Sequence, residues 1–421
     1  MADWPKAQMD SLCEITSSKR IFAADYVSEG VPFYRGKEIT EKYKGNLDVS
    51  TELFITEEKF SEIERKFGAP RPGDLLLTSV GSLGSVYVVK SGDRFYFKDG
   101  NLTWFKNLKG LDSTFLFYWL ASPKGKAELQ KCTIGSSQSA FTIVLLKGME
   151  IEVPPLPVQQ RIAEILSAYD DLIENSQRRI RILETMARAL YREWFVHFRF
   201  PGHENHPRAA STLGDIPQGW EVKNLESLMA DHIGGGWGKE VTDEDHTQPA
   251  WVIRGTDIPA ARSSQVASVP HRFHTVSNLR SRKLTAGDVL FEVSGGSKGQ
   301  PVGRTLFITP ELLSAFDGDV ICASFCKRVR PKNDTYGSEL LYLSFLEGYQ
   351  SGGITRSMLA MYSVHLKFEM PPAPLRSRFH ELVAPLFVEI ATIGLKIQNL
   401  RRTRDLLLPR LLSGQINLVE H

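Results

Sequence analysis

The chain repeats itself once, and that repeat limits the folds open to it. Phe33-Tyr-Arg-Gly-Lys-Glu-Ile39 returns as Val252-Ile-Arg-Gly-Thr-Asp-Ile258, 219 positions on at the arginine. Pro72-Gly-Asp-Leu-Leu-Leu77 returns as Ala286-Gly-Asp-Val-Leu-Phe291 at 214. Val153-Pro-Pro-Leu-Pro157 returns as Met370-Pro-Pro-Ala-Pro374 at 217, and Trp4 and Leu12 match Trp220 and Leu228 at 216. In 421 residues these offsets are close to half the length. Solenoid repeats run to about 20–50 residues, so the pattern is a duplicated domain and not a solenoid.

Each copy changes texture at its Pro-Pro. Before it, short apolar runs such as Asp74-Leu-Leu-Leu-Thr-Ser79, Ser85-Val-Tyr-Val-Val89 and Arg94-Phe-Tyr-Phe97 alternate with Gly and Asp punctuation and a few helical stretches. That mixture predicts an α+β or α/β globular domain. After it, Pro157–Phe195 contains no further Gly or Pro and reads as one helix of 39 residues.

The helical stretches carry a heptad stripe. Ile162, Leu166, Tyr169, Ile173, Ser176, Ile180, Leu183, Ala187, Leu190 and Trp194 are spaced alternately by four and three. Phe379, Val383, Leu386, Ile390, Ile393, Ile397, Leu400, Arg404, Leu407 and Leu411 repeat that register 217 positions later. Two stripes in one register predict a coiled-coil seam between the two helices. Pro385 is expected to kink the second helix and Pro409 to end it, leaving Leu411 outside the seam. The polar stretch Pro201–Gly219 reads as a surface linker.

Lys+Arg 51 against Asp+Glu 49 gives a net charge of +2, which excludes a histone-like polycation and an acidic tail. It leaves nucleic-acid binding open, because the electrostatic footprint is a patch and not a sum. Cys13, Cys132, Cys322 and Cys326 are too few for a disulfide framework and read as buried free thiols. The N-terminus shows no secretory pattern and no apolar run is long enough to span a membrane, so a cytoplasmic protein is expected.

Catalytic patterns are sparse. Gly295-Gly-Ser297-Lys-Gly299 matches G-x-S-x-G, with Asp319 and His365 or His380 following in hydrolase order. The equivalent turn of the first copy places Leu83 opposite Ser297, which argues against a nucleophile. Gly234-Gly-Gly-Trp-Gly-Lys239 lacks the spacing of a P-loop, and no dinucleotide fingerprint is present. What remains are polar and basic residues on Gly-punctuated turns. In the first copy these are Arg35, Lys37, Thr78, Ser79, Ser82, Ser136, Ser137 and Gln138; in the second, Arg254, Thr256, Ser294, Ser297, Lys298 and Arg356. Such side chains donate to phosphates and base edges, so they are the candidate DNA-binding residues. A coiled-coil scaffold that binds only proteins is the alternative from another class.

Pro154-Pro-Leu-Pro-Val-Gln-Gln-Arg-Ile-Ala-Glu-Ile-Leu166, continuing through Tyr169-Asp-Asp-Leu-Ile-Glu-Asn175 to Arg192-Glu-Trp-Phe-Val-His-Phe198, resembles the specificity subunit of type I restriction-modification systems. The second copy departs from it, with Arg376-Ser377 opposite Gln159-Gln160. The resemblance implies two homologous target-recognition domains separated by two long helices in an antiparallel coiled coil, related by a pseudo-twofold. It divides the chain into residues 1–153 (recognition), 154–200 (helical spacer), 201–370 (linker and second recognition domain) and 371–421 (second spacer). It implies a non-catalytic subunit that reads one half of a split, asymmetric DNA site with each domain. Partner methyltransferase subunits, two in number, would carry S-adenosylmethionine and methylate adenine N6. Motor-nuclease subunits would use ATP with Mg, and this chain itself would bind no cofactor. A 39-residue helix is about 58 Å long, which suits half-sites spaced by one turn of DNA, ~34–36 Å. The helices would then act as a ruler, and Arg178, Arg179, Arg181 and Arg188 would face either partner helices or solvent.

Overall fold

In a computed structural model the chain is described at residues 4–46, 49–135, 139–294, 303–332, 337–350, 367–416 and 418. It forms two compact units, Met1–Glu174 with Leu400–His421, and Asn175–Asn399. The first long helix, Leu156–Tyr191, ends in a π-helical turn at Arg192–Val196, and the second spans Ala373–Leu412. Each unit therefore holds one globular domain and a segment of both helices.

The duplication extends to topology. In the first unit a four-stranded antiparallel sheet runs in the order Glu14–Thr16, Leu102–Lys106, Leu75–Thr78, Val86–Val88. A three-stranded sheet runs Phe54–Ile55, Val31–Tyr34, Tyr96–Phe97, its last pair parallel, and Lys6–Gln8 pairs with Glu150–Glu152. The second unit repeats this order with Met229–Gly234, Cys326–Pro331, Val289–Glu292, Thr305–Phe307. Its three-stranded sheet is His271–His274, Gln248–Ile253, Val320–Cys322, again with a parallel last pair, and Glu221–Asn224 pairs with Lys367–Met370.

Period-two patterning explains why Leu75-Leu-Leu77 is apolar throughout. Leu75 and Leu77 enter the core that contains Val86, Phe105 and Phe115, while Leu76 points into a second core with Tyr87, Phe97 and Trp104. A strand covered on both faces loses the polar alternation of a half-exposed one. The Gly-Asp that precedes this strand in both copies is a turn device. Gly73 and Gly287 both sit at φ 90°, where a side chain is strained. The Asp74 carboxylate accepts from the Arg71 N–H at 2.9 Å and the Trp104 indole at 2.9 Å. Asp288 accepts from the Thr285 N–H at 2.8 Å and from the Arg330 guanidinium.

The heptad positions lie where the stripe places them. Ile162, Leu166, Ile173, Ile180, Phe379, Val383, Ile390, Ile393 and Ile397 are buried, and Tyr169, Leu183, Leu190, Leu386 and Leu400 are half-buried. In the second unit Phe379 packs on Phe195 (4.7 Å between centroids), Trp194 and Tyr191, and Arg179 pairs with Glu389 at 3.0 Å. Partner numbers rise on one helix as they fall on the other, so the helices are antiparallel there. In the first unit Leu411 and Leu412 share a core with Ile162 and Leu166. The buried stripe is wider than the seam, because Ala163, Phe387 and Ala391 are buried as well.

Two expectations are corrected. Pro409 does not end the second helix, and Leu411 is in the core, not outside it. An internal proline costs about 3 kcal/mol, and full burial of Leu411 and Leu412, at roughly 1.5–3 kcal/mol each, offsets that. The helix stops at Gly414 (φ 63°), where the Gln415 N–H donates to the Arg410 carbonyl and the Gly414 N–H to that of Leu411. The Pro201–Gly219 stretch is also more than a linker: Arg208–Ser211 and Gly214–Pro217 form a hairpin turned by Gly214, whose φ is 103°.

The first unit's helix segments are joined by a polar cluster. Asp170 accepts from the Tyr118 hydroxyl at 2.5 Å and from the Arg404 guanidinium. Burial and the adjacent Asp170 push the Tyr118 phenol above its ordinary value, keeping it a donor. In the second copy the equivalents of Asp170 and Arg404 are Phe387 and Ala187, and Tyr342 meets Phe387 edge-on at 5.4 Å.

The Pro-Pro-Leu-x-x-Gln run also has a structural purpose. The buried Gln159 side chain accepts from the Asp112 N–H (2.9 Å) and donates to the carbonyls of Gly110 (3.1 Å) and Pro154 (2.8 Å). Arg376, its counterpart, keeps one of these bonds, donating to the Pro371 carbonyl at 3.0 Å. Gln159→Leu retains the volume but removes the partner of three backbone groups, of which the Pro154 carbonyl belongs to a buried residue. Urea unfolding is expected to show a loss of roughly 2–4 kcal/mol, and a loss below about 0.5 kcal/mol would contradict this role.

Candidate nucleic-acid interface

Two of the first copy's polar clusters, and the strands that flank the third in sequence, meet at one place. Arg35 precedes the helix Gly36–Tyr43, and Gly36 faces Thr78 and Val80: a Cβ there would lie 3.8 Å from Thr78 Cγ2. Val80 bridges to Ala140, and the Phe141 N–H donates to the Ser79 carbonyl at 3.0 Å. The hairpin Thr133–Ile134 with Ala140–Phe141 is thereby held against the Thr78–Ser82 turn. Ser136, Ser137 and Gln138, between its strands, lie outside the described residues.

The second copy repeats the arrangement. Gly255 stands so close to the end of the Val289–Glu292 strand that a Cβ would overlap the Glu292 carboxylate. Glu292 is itself held by Arg304 through two bonds of 2.7 and 2.8 Å. Ser294 follows and is half-buried; Ser297, Lys298 and Arg356 lie outside the described residues.

The individual side chains divide into holders and displayed groups. Arg35 donates to Glu38 at 3.0 Å while the Arg35 N–H donates to the same carboxylate at 2.8 Å. Arg254 is bound twice to Asp257 at 2.8 Å, and its N–H donates to it at 2.9 Å. Glu38 and Asp257 are 1% and 2% exposed, so each is a buried anchor that fixes the turn. The hydrogen bonds to Glu38 and Asp257 raise both guanidinium pKa values above the ordinary one. Thr78 and Ser79 are buried: the Thr78 hydroxyl donates to the Ser82 carbonyl, and Ser79 shares a 2.6 Å bond with Thr103. These four side chains shape the turns, while Lys37, Ser82 and Thr256 are exposed on them.

Glu38 and Asp257 escaped the sequence reading. The available signal was an acid three residues after the arginine in both copies, Arg-Gly-x-Glu and Arg-Gly-x-Asp. On the helices, Arg179 is paired with Glu389 and Arg188 with Glu347, so these two are engaged within their unit.

The remaining chemistry is structural. Burial pushes the Cys322 thiol up to about 12 and that of Cys326 higher still, which keeps both protonated and unreactive. In the Gly234–Lys239 loop, the Gly235 and Gly236 N–H groups donate to the Cys326 and Cys322 carbonyls at 2.9 Å, so they are not offered to a phosphate. Of the hydrolase set, Ser297 and His365 lie outside the described residues, Asp319 pairs with Lys283 at 2.6 Å, and His380 pairs with Glu339 at 3.1 Å. No described helix is long and apolar enough to cross a membrane.

Two α+β domains of one topology, each with a polar turn cluster and packed on segments of the same two helices, define a duplicated recognition protein. Residues 1–185 match the family described as type I restriction modification DNA specificity domain. The type I restriction enzyme MjaIX specificity subunit of Methanocaldococcus jannaschii is 26% identical, over 99% of this chain and 94% of that one. The type I restriction enzyme HindI specificity subunit of Haemophilus influenzae is 25% identical, over 72% of this chain and 77% of its own. A solved S subunit of a type I restriction-modification system from M. genitalium shares the fold, with a TM-score of 0.58 over 97% of this chain and 96% of that one, at 14% identity. Residues 1–185 thus carry that family's domain, and over nearly its whole length the chain resembles type I restriction-modification specificity subunits.

The two turn clusters differ in tolerance. Gly255→Ala forces the Glu292–Arg304 pair apart and is expected to cost roughly 2 kcal/mol. Gly36→Ala meets ordinary contact distances and is expected to change stability by less than about 0.5 kcal/mol. Thermal unfolding of the two variants side by side checks this asymmetry.

Proposed function

We propose that this chain works as a DNA-reading adaptor in which each domain presents its turn cluster to one half of a bipartite, asymmetric site. As a type I specificity subunit it is non-catalytic, recognises DNA and directs modification and restriction subunits to it. The observation that carries the two-half reading is the repeated interface. The holding groups recur (Arg35–Glu38 and Arg254–Asp257), while the displayed positions differ, Lys37 against Thr256. Equal scaffolds with unequal displayed groups suit two different half-sites. The hydrolase and protein-scaffold alternatives find no support in the family.

The finer parts of the proposal concern the partners. Two methyltransferase subunits would complete a clamp around the duplex, bringing S-adenosylmethionine and drawing the target adenine out of the stack. ATP with Mg would belong to the motor-nuclease subunits, and the assembly would work in the cytoplasm. With a net charge of +2, the chain alone would bind DNA modestly and gain affinity within the complex.

Co-expression with the partner methyltransferase, followed by mapping of N6-methyladenine, is expected to reveal a split motif that vanishes without this chain. No new methylation from a soluble, assembled complex would refute the adaptor reading. Lys37→Ala in that complex is expected to weaken duplex binding several-fold and to lower the slope of log affinity against log salt by about one.

A further inference from the structure

We propose that Phe22 in the first domain, and Trp237 with Phe325 in the second, are aromatic base contacts that stack on or wedge between bases of the bound duplex. The proposal rests on the adaptor reading and adds to it residues that lie outside the polar turn set.

Phe22 and Trp237 occupy equivalent places, and Phe325 lies on the neighbouring loop of the second domain. In the first domain the loop after strand Glu14–Thr16 is pinned to the strands that follow: the Ser18 hydroxyl donates to the Phe97 carbonyl at 2.7 Å, and the Gly100 N–H to the Ser17 hydroxyl at 3.2 Å. In the second domain the loop after strand Met229–Gly234 is pinned to the corresponding strands through Gly235 and Gly236. Each loop then displays a ring to solvent: Phe22 is 65% exposed and Trp237 40%. Phe325, 61% exposed, lies between strands Val320–Cys322 and Cys326–Pro331, the place held in the first copy by Lys98–Asn101.

These loops continue the turn clusters. The Ser79 N–H donates to the Asn101 carbonyl at 2.8 Å, and the Val293 N–H, beside Ser294, donates to the Phe325 carbonyl at 2.9 Å. In the first domain, Phe22 borders an open cleft of about 390 Å³ shared with Arg20, Tyr26, Lys98 and Asn101. Arg20 is paired with Asp99 at 2.9 Å, and Lys98 leaves the rim with one net positive charge. Trp237 is steadied by the Arg272 guanidinium, 4.5 Å from its ring centroid, and Arg272 is paired with Glu240 at 2.6 Å. An aromatic ring kept in water gains when it covers a base face, and the identity of the base matters little to that gain. Apolar wedges beside basic groups also open base steps. The occupant is therefore duplex DNA, on the same face as the turns.

The test uses the full chain assembled with its methyltransferase partner, carrying Phe22→Ala, Trp237→Ala or Phe325→Ala, with Phe22→Tyr as the ring-retaining variant. Binding is measured on duplexes with both half-sites intact and with either one scrambled. Each alanine variant is expected to bind the intact site about ten-fold more weakly, with an unchanged salt slope, because no phosphate contact is lost. Because stacking tolerates any base, Phe22→Ala and Trp237→Ala should weaken intact and scrambled duplexes alike and leave their ratio within about two-fold of the parent, while Phe22→Tyr stays near the parent. Affinities within two-fold of the parent for all alanine variants would overturn the proposal, as would loss of subunit assembly in place of DNA affinity. A parent complex that does not distinguish intact from scrambled duplex would overturn the adaptor reading together with it.

Discussion

Neither globular domain closes its core with its own residues alone; each needs both long helices. In the first unit Leu411 and Leu412, from the far end of the chain, sit in the same core as Met9, Leu75 and Phe115. In the second unit Phe387, on the second helix, packs on Phe307 and Tyr342 of the globular domain. Burial of such side chains is the main favourable term in folding. The helices are therefore part of two cores as well as partners of one another, and this is why their buried stripe is wider than a coiled-coil seam. It also explains how a helix tolerates Pro409. The first domain can complete its core only once Leu411 and Leu412 are available to it.

Duplication has kept the internal supports and released what they display. Asp74 and Asp288 hold the same turn by accepting from a backbone N–H three residues earlier, yet one takes the Trp104 indole and the other the Arg330 guanidinium as its further donor. The Tyr118–Asp170–Arg404 cluster of the first unit faces a ring contact, Tyr342 with Phe387, in the second. A polar cluster at a helix pairing demands one register, because a shift leaves charged groups unpaired, whereas a ring contact is more permissive. The first unit thus carries the stricter alignment signal of the two.

The arginines show where sequence reasoning succeeds and where it stops. Arg35 and Arg254 were singled out because they recur on glycine turns, and both do sit at the turn cluster. Composition does not show that each is also bound to a buried carboxylate three residues on. Thr78 and Ser79 are similar, chosen as donors to DNA but buried against the chain itself. Lys37 and Thr256, neighbours of the two arginines, are the exposed ones. In the sequence Phe22 and Phe325 carry no signal of exposure and Trp237 stands only inside the glycine-rich run, because an aromatic residue ordinarily signals core.

By itself the sequence determined the duplication, the two α+β domains, the pair of long helices and the register of their apolar stripes. These are carried by periodicity and repetition, which depend on the order of residue types along the chain. Tertiary structure alone decided which polar groups hold the turns and which are displayed, that Leu411 joins a core, and that a run of prolines, glycines and histidines leads into a hairpin. Those outcomes depend on whether each donor, acceptor and apolar surface finds a partner in space, and the partners come from residues far away in the chain: Asn101 for Ser79, Leu411 for Ile162, Arg304 for Glu292.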